Sequence, residues 1–356
     1  MKRYFIYLHI SHFNSLFYRC NRLVLIGHTA NKQLATKLDK EEIEKVVGEP
    51  ITDFSISSGA KKGDNVAGTL LALKVTTASG KELNLVYKGF PSHDPKQKQF
   101  VVQFGIFRTE TSMYEKIFPR LKELLELRKT VKNKELPIVK YISGFNDDQN
   151  DYVCLEDMRP EGYIMQDKFN SLTLAEVSLY ETPGDRGTPS QLKFIDFQLS
   201  RRGNIFEDLG YFFWTSTTPE FRSQHLDQML SFYAKSFENT MDQLDFPKPE
   251  GFSRGYVIDK FYQGMHSAYL YMPFALSLQM CDLVEAKEEQ AQNGTTKKED
   301  EKNNQNGSQS GPPAIDFDAM MKEEKRMMMI RMKTSPRALQ RLEDLTREAV
   351  ELNLLV

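Results

Sequence analysis

Eight side chains in the middle of the chain restrict its fold more than any other feature. Phe100, Phe104, Phe107, Thr111, Tyr114, Phe118, Leu121 and Leu125 recur at steps of four and three residues. That period puts them on one face of an α-helix, and a face this aromatic must be buried against another layer. Pro119 lies inside the run and lacks a backbone N–H, which predicts a break or kink there. The covering layer is at hand on both sides. Residues 51–57 alternate in polarity, and 70–77 and 83–88 read as two more strands joined by a turn at Ser79-Gly80. After the helix, 137–142 and 152–156 read as strands separated by the turn 146–151. A short acidic-fronted helix is expected at 39–47. Strands, helix and strands in this order predict a mixed α/β fold of the α+β kind.

The second half is organised differently. A short stretch, 160–180, and a turn-rich piece, 181–189, lead into a buried strand at 192–197. Helices are expected at about 221–244, about 255–280 with a kink near Pro273, and 336–353, where Ser335 is the N-cap and Pro336 opens the first turn. Residues 286–313 contain no aromatic or branched aliphatic side chain, so they predict a disordered polar insertion. Residues 1–38 carry six Lys or Arg and no acidic residue, and read as a poorly ordered basic extension. The division expected is therefore 1–38, a first lobe with hinge at 39–158, a second lobe at 159–285, the insertion 286–313, and C-terminal helices of the second lobe at 314–356.

Charge and cysteine content narrow the function classes. With 47 Lys+Arg against 49 Asp+Glu, the chain has no basic excess for general nucleic-acid binding. No apolar run approaches the length of a membrane span. Cys20, Cys154 and Cys281 have neither zinc nor disulfide spacing, which fits a reducing compartment. The expected location is cytoplasmic; the alternative is mitochondrial, through the acid-free leader.

One constellation carries chemistry. The Gly-rich turn 58–68, with Gly63 and Asn65, leaves room for backbone N–H groups to approach phosphates. Lys88 ends a strand where it can neutralise them, and Glu110 lies 22 residues on, placed to pair with it. Asp196 interrupts the apolar run Phe194-Ile195-Asp196-Phe197, and an aspartate so placed needs a partner or a metal. Glu156 and Met158 sit where a hinge would offer backbone groups to adenine. Together these are the parts with which kinase-type folds handle a nucleotide and Mg²⁺.

The chain resembles the ecdysteroid kinase-like, or CHK kinase-like, family, related to choline kinases and aminoglycoside phosphotransferases. The resemblance rests on KKGDNVAGTLLALKV (61–75), LVYKGFP (85–91), FRTETSMYEKIFPRL (107–121), VCLEDMRPEGYIMQDKFNSLTLAE (153–176) and above all LKFIDFQLSRRGNIFEDLGYFFWTSTT (192–218). It implies a two-lobed, protein-kinase-like fold. It also implies ATP and Mg²⁺ as cofactors and phosphorylation of a hydroxyl on a small molecule, possibly steroid-like. By resemblance, Lys88 is the phosphate-binding lysine, Glu110 its helix partner, Asp196 the metal-binding aspartate and Asp208 a structural aspartate.

One part of the family pattern is missing. A catalytic loop H-G-D-x-x-x-x-N supplies the base and the second metal ligand. Here no histidine lies between 94 and 224, and no Asn between Asn170 and Asn204. Glu156 and Asp196 are only 40 residues apart, so on the order of a hundred residues of the second lobe are lacking. Asp185, in the turn PGDRGTP, is too close to Asp196 to serve instead. No catalytic residue is assigned, the second lobe is read as truncated, and Phe212, Phe213 and Trp214 are expected to lose cover. The join falls between Glu176 and Val177. Transcripts read across those two codons test it: an insert there encoding H-G-D and a following Asn would restore the enzyme reading. A gene with no such exon would end the idea of a removed block.

Overall fold

Three strands that alternate in burial form the frame of the first half. In this computed structural model, residues 2–7, 38–59, 69–90, 95–131, 133–165, 170–177, 189–269, 272–273, 276, 326 and 335–354 are described. Strand β1 is Lys2–Tyr7, helix α1 Lys40–Val47, and strands β2, β3 and β4 are Ile51–Ser58, Thr69–Thr77 and Glu82–Gly89. Strands β5 (Tyr141–Phe145) and β6 (Tyr152–Glu156) complete an antiparallel sheet of order β2-β3-β4-β6-β5. Leu71, Leu73, Val75, Leu85 and Tyr87 are buried on one face with Ile43 and Val46 of α1. Asp39 caps α1 by accepting from the Glu42 N–H at 2.9 Å.

The aromatic helix is not continuous. It is divided into α2 (Pro95–Gln103), α3 (Ile106–Ser112) and α4 (Phe118–Leu127), with a π-helical turn at Met113–Ile117. Gly105 makes the first break, since its φ of 58° is left-handed and favours glycine. Pro119 stands in the first turn of α4, where a missing N–H costs little. The preceding turn closes from the Phe118 N–H to the Met113 carbonyl. The ring positions still converge: Phe107 and Tyr114 are buried, and Phe118 joins them.

Past β6, strand β7 is Tyr163–Met165, helix α5 Leu174–Val177 and strand β8 Pro189–Ile195. A second sheet, all parallel, has the order β7-β1-β8. Lys2–Tyr7 therefore departs from the expected poorly ordered extension. A segment rich in Tyr, Phe and Ile has strand propensity, and it pairs with the ladder groups of both β7 and β8. The strand expected at 137–142 begins later, at Tyr141. Ile138 instead bridges Phe194, whose N–H donates to the Pro137 carbonyl at 2.7 Å.

The rest is helical: α6 (Ile205–Ser216), α7 (Pro219–Leu244), α8 (Arg254–Tyr269) and α9 (Pro336–Glu351). Helix α6 is absent from the sequence-based expectations; the other three begin within two residues of theirs. These helices share a second core that includes Leu226, Leu230, Phe261, Met265 and Leu345. Phe213 and Trp214 lie inside it, at 5% and 3% exposure, so the expected loss of cover does not occur there. Phe261 packs on both rings, and the Arg222 guanidinium lies 4.8 Å from the Trp214 ring. The fold is thus α+β, with one core under the antiparallel sheet and one among the helices. No helix among the described residues is long and apolar enough to cross a membrane. The insertion 286–313, and most of 1–38, fall outside the described residues.

Buried Arg222 binds α9 to the rest. It donates to the Phe213 and Thr217 carbonyls at 3.2 and 2.6 Å and forks onto Glu348. Arg341 of α9 donates to the Thr217 carbonyl at 2.5 Å. Two cations thus satisfy the open carbonyls at the C-terminus of α6. Arg222→Ala leaves the Glu348 carboxylate without its buried partner and takes one donor from each carbonyl, and should cost about 3 kcal/mol in urea unfolding. A loss under 1 kcal/mol on that scale would show the clamp to be ornamental.

Candidate nucleotide and metal site

Lys88 lies near the end of β4, opposite Leu70 of β3 and Val153 of β6. The two-residue period of a strand turns it away from the face that carries Leu85 and Tyr87. Glu110 projects from α3, and Asp196 follows β8 directly. These three residues, widely separated in sequence, meet. Lys88 Nζ donates to Glu110 Oε2 at 2.7 Å and to Asp196 Oδ1 at 2.8 Å. The side chains are 10%, 2% and 16% exposed for Lys88, Glu110 and Asp196.

A fourth side chain completes the cluster. Gln198 Oε1 accepts from Lys88 Nζ at 2.8 Å, while Gln198 Nε2 donates to Asp196 Oδ2 at 3.3 Å. Sequence reasoning did not single out Gln198. The available signal was its place two residues after Asp196, on the far side of Phe197.

Local structure explains the aim of Asp196. Its φ and ψ are 67° and 54°, a left-handed conformation that costs an L-residue about 1–2 kcal/mol. The bend passes the chain from β8 into a 3₁₀ turn at Phe197–Leu199. Phe197 then enters an aromatic cluster, with ring centroids 5.6 Å from Tyr114 and 4.7 Å from Phe118. Helix α3, its π-turn and the Asp196 bend are therefore locked together. The Tyr114 hydroxyl, in the π-turn, is buried with no hydrogen-bond partner among the described residues.

Electrostatics follow from burial. Desolvation opposes the Lys88 ammonium, but the adjoining Asp196 and Glu110 charges outweigh it and hold the group above the ordinary lysine value. Burial pushes the Glu110 carboxyl up, while Lys88 pulls it down. Two carboxylates face one ammonium, which leaves the cluster receptive to a further cation. No group of three or more His, Cys, Asp or Glu side chains among the described residues forms a ready metal cage. Asp196 with a single weak bond to Oδ2 suits Mg²⁺, which commonly takes one or two carboxylates and the phosphates of its nucleotide.

The hinge residues are nearby but partly engaged. The Glu156 N–H donates to the Lys140 carbonyl at 3.0 Å. The Met158 carbonyl accepts from the Glu161 and Tyr163 N–H groups, and its side chain is buried with Val139 and Tyr163. Those two backbone groups, expected to face adenine, are thus used within the fold. Arg159 is fixed on Asp157 and reaches the Gly59 carbonyl at 3.3 Å, at the foot of the Gly-rich turn. A Cβ at Gly59 would lie 2.9 Å from the backbone of Leu70 and Leu71, so only glycine fits that crossing. Gly63, Asn65 and Asp185 lie outside the described residues. Asp208 lies in the first turn of α6, whose N-cap is Asn204.

A family model of ecdysteroid kinase-like proteins matches residues 62–182 and 180–246. The two matched segments meet at 180–182, close to the join expected between Glu176 and Val177. Neither a curated protein nor a solved structure gives a match to the chain.

The Lys88 cluster generates a pH test. In Lys88→Met, Glu110 keeps its desolvation and loses its counter-charge, so its folded-state carboxyl titrates above the unfolded value. Such a group favours the fold below the unfolded carboxylate range and loses that contribution as pH rises through the folded value. The variant should be about 3 kcal/mol less stable than the parent near neutrality. The gap in urea unfolding should widen from about pH 4 to pH 7. A gap constant over that range would contradict the charge account.

Proposed function

Because the chain belongs to the ecdysteroid kinase-like family, whose fold and substrate class are those of small-molecule kinases, we propose that it binds Mg-ATP without efficient phosphotransfer. The observation that carries this reading is the convergence of Lys88, Glu110 and Asp196 within hydrogen-bond distance. An ammonium aimed by a buried carboxylate suits nucleotide phosphates, and an adjoining aspartate suits the bridging metal. Bound Mg²⁺ supplies charge neutralisation between phosphates. Lys88 would hold the phosphate side and Asp196 the metal.

Transfer demands more than binding. The acceptor hydroxyl must lose its proton to a positioned base, and a second metal ligand must steady the leaving phosphates. The sequence between Glu156 and Asp196 provides neither a histidine-led loop nor a following Asn. The intact family activity would be O-phosphorylation of a small hydroxylated, possibly steroid-like, acceptor; in this chain the retained role is that of a nucleotide-binding pseudokinase. A second reading, a shortened product of a longer gene form, is favoured by the division of the family match into two segments.

Thermal shift with millimolar Mg-ATP tests binding, since a ligand specific to the folded state raises the melting temperature by mass action. A rise in the parent chain that is lost in Asp196→Ala is expected, with no phosphate transferred to a panel of hydroxylated steroids. No rise in the parent chain would remove the nucleotide reading. Turnover that disappears in Asp196→Ala would instead restore the enzyme.

A further inference from the structure

An ammonium has three N–H donors, and Lys88 uses all three inside the protein. Glu110 Oε2, Asp196 Oδ1 and Gln198 Oε1 accept them at 2.7, 2.8 and 2.8 Å. No donor is left for a phosphate oxygen. A nucleotide that uses Lys88 must first displace one of the three acceptors.

The three are unequal. Glu110 is 1% exposed and carries charge. Asp196 is charged and fixed by its left-handed backbone. Gln198 is neutral, and an ammonium holds an uncharged acceptor less tightly than a carboxylate. Its only other bond in the cluster is the 3.3 Å contact from Nε2 to Asp196 Oδ2. Gln198 is the acceptor that yields at least cost.

We propose that Gln198 is a built-in placeholder: its side-chain oxygen occupies the seat of a nucleotide phosphate oxygen on Lys88, and its displacement sets nucleotide affinity. The inference rests on the nucleotide reading above and adds to it a residue and a sign. Without nucleotide, Gln198 keeps a buried N–H paired and so supports the fold. Towards nucleotide it competes. Gln198 is thus a positioning residue that acts through Lys88.

The competition predicts opposite effects on two readouts. In Gln198→Met, similar in length and without an acceptor, one Lys88 N–H loses its partner, and the melting temperature of the nucleotide-free chain should fall. Titration calorimetry with Mg-ATP should show binding about fivefold tighter, the worth of one ordinary hydrogen bond. A packing role alone would lower both. Equal or weaker binding in Gln198→Met overturns the proposal while leaving the nucleotide reading intact. Absence of binding in the parent chain removes the reading and this inference with it. If the variant does not fold, the parent chain labelled with ¹⁵N-glutamine decides. The Gln198 side-chain amide should shift on saturation with Mg-ATP, and an amide unmoved by Mg-ATP overturns the placeholder.

Discussion

The buried ammonium of Lys88 is the contact on which the arrangement of the first lobe and its junction depends. Taking a charge out of water costs several kcal/mol unless partners replace the lost hydration. Here the cluster draws on three elements. The antiparallel sheet supplies Lys88, the short helix α3 supplies Glu110, and the end of β8 supplies Asp196 and Gln198. Each partner is itself constrained, so the cluster specifies how the sheet, the helix and the bend after β8 meet. The aromatic contact of Phe197 with Tyr114 and Phe118 supplies apolar burial beside it. Polar specificity and apolar driving force therefore act at one junction.

That junction also concentrates local strain. Asp196 is left-handed without being glycine, α3 runs into a π-turn, and the Tyr114 hydroxyl is buried without a partner among the described residues. Such features persist only where surrounding contacts over-determine them, and they gather at ligand sites. Here the over-determination is visible. Releasing the Asp196 bend would withdraw Phe197 from its two ring contacts.

The sequence made some of this legible and hid the rest for identifiable reasons. Strand-like polarity patterns located β2, β3 and β4, which line the core under the antiparallel sheet. Lys88, Glu110 and Asp196 were legible because each is a charge in an apolar setting or at a telling spacing. Gln198 was not, since an uncharged side chain beside a buried aspartate has no periodic signature. The aromatic run gave the right buried face but the wrong continuity, because Gly105 breaks the helix while leaving the i, i+3, i+4 pattern readable. Helix α6 was obscured because its apolar side chains, Phe206 through Trp214, are too dense for a clean polar stripe; it is enclosed by α7, α8 and α9. The fate of Phe213 and Trp214 was misjudged for the same reason: their cover comes from helices later in the chain.

This distribution of cover separates folding from transfer. The helical core is closed by α7, α8 and α9, with Leu174 and Val177 of the short interval packed against it, and Arg222 ties the end of α6 to Glu348. Strand β8 is flanked by β1, so the strand that delivers Asp196 is paired within its sheet. A chain without the catalytic loop can therefore still bury its apolar faces and still present Lys88 and Asp196. The binding groups are fixed by the sheet, by α3 and by the Phe197 cluster, whereas a base and a second metal ligand would have to come from the interval that is short. On these physical grounds the proposed pseudokinase reading is coherent: the contacts that would shape a phosphate side coincide with contacts that stabilise the fold.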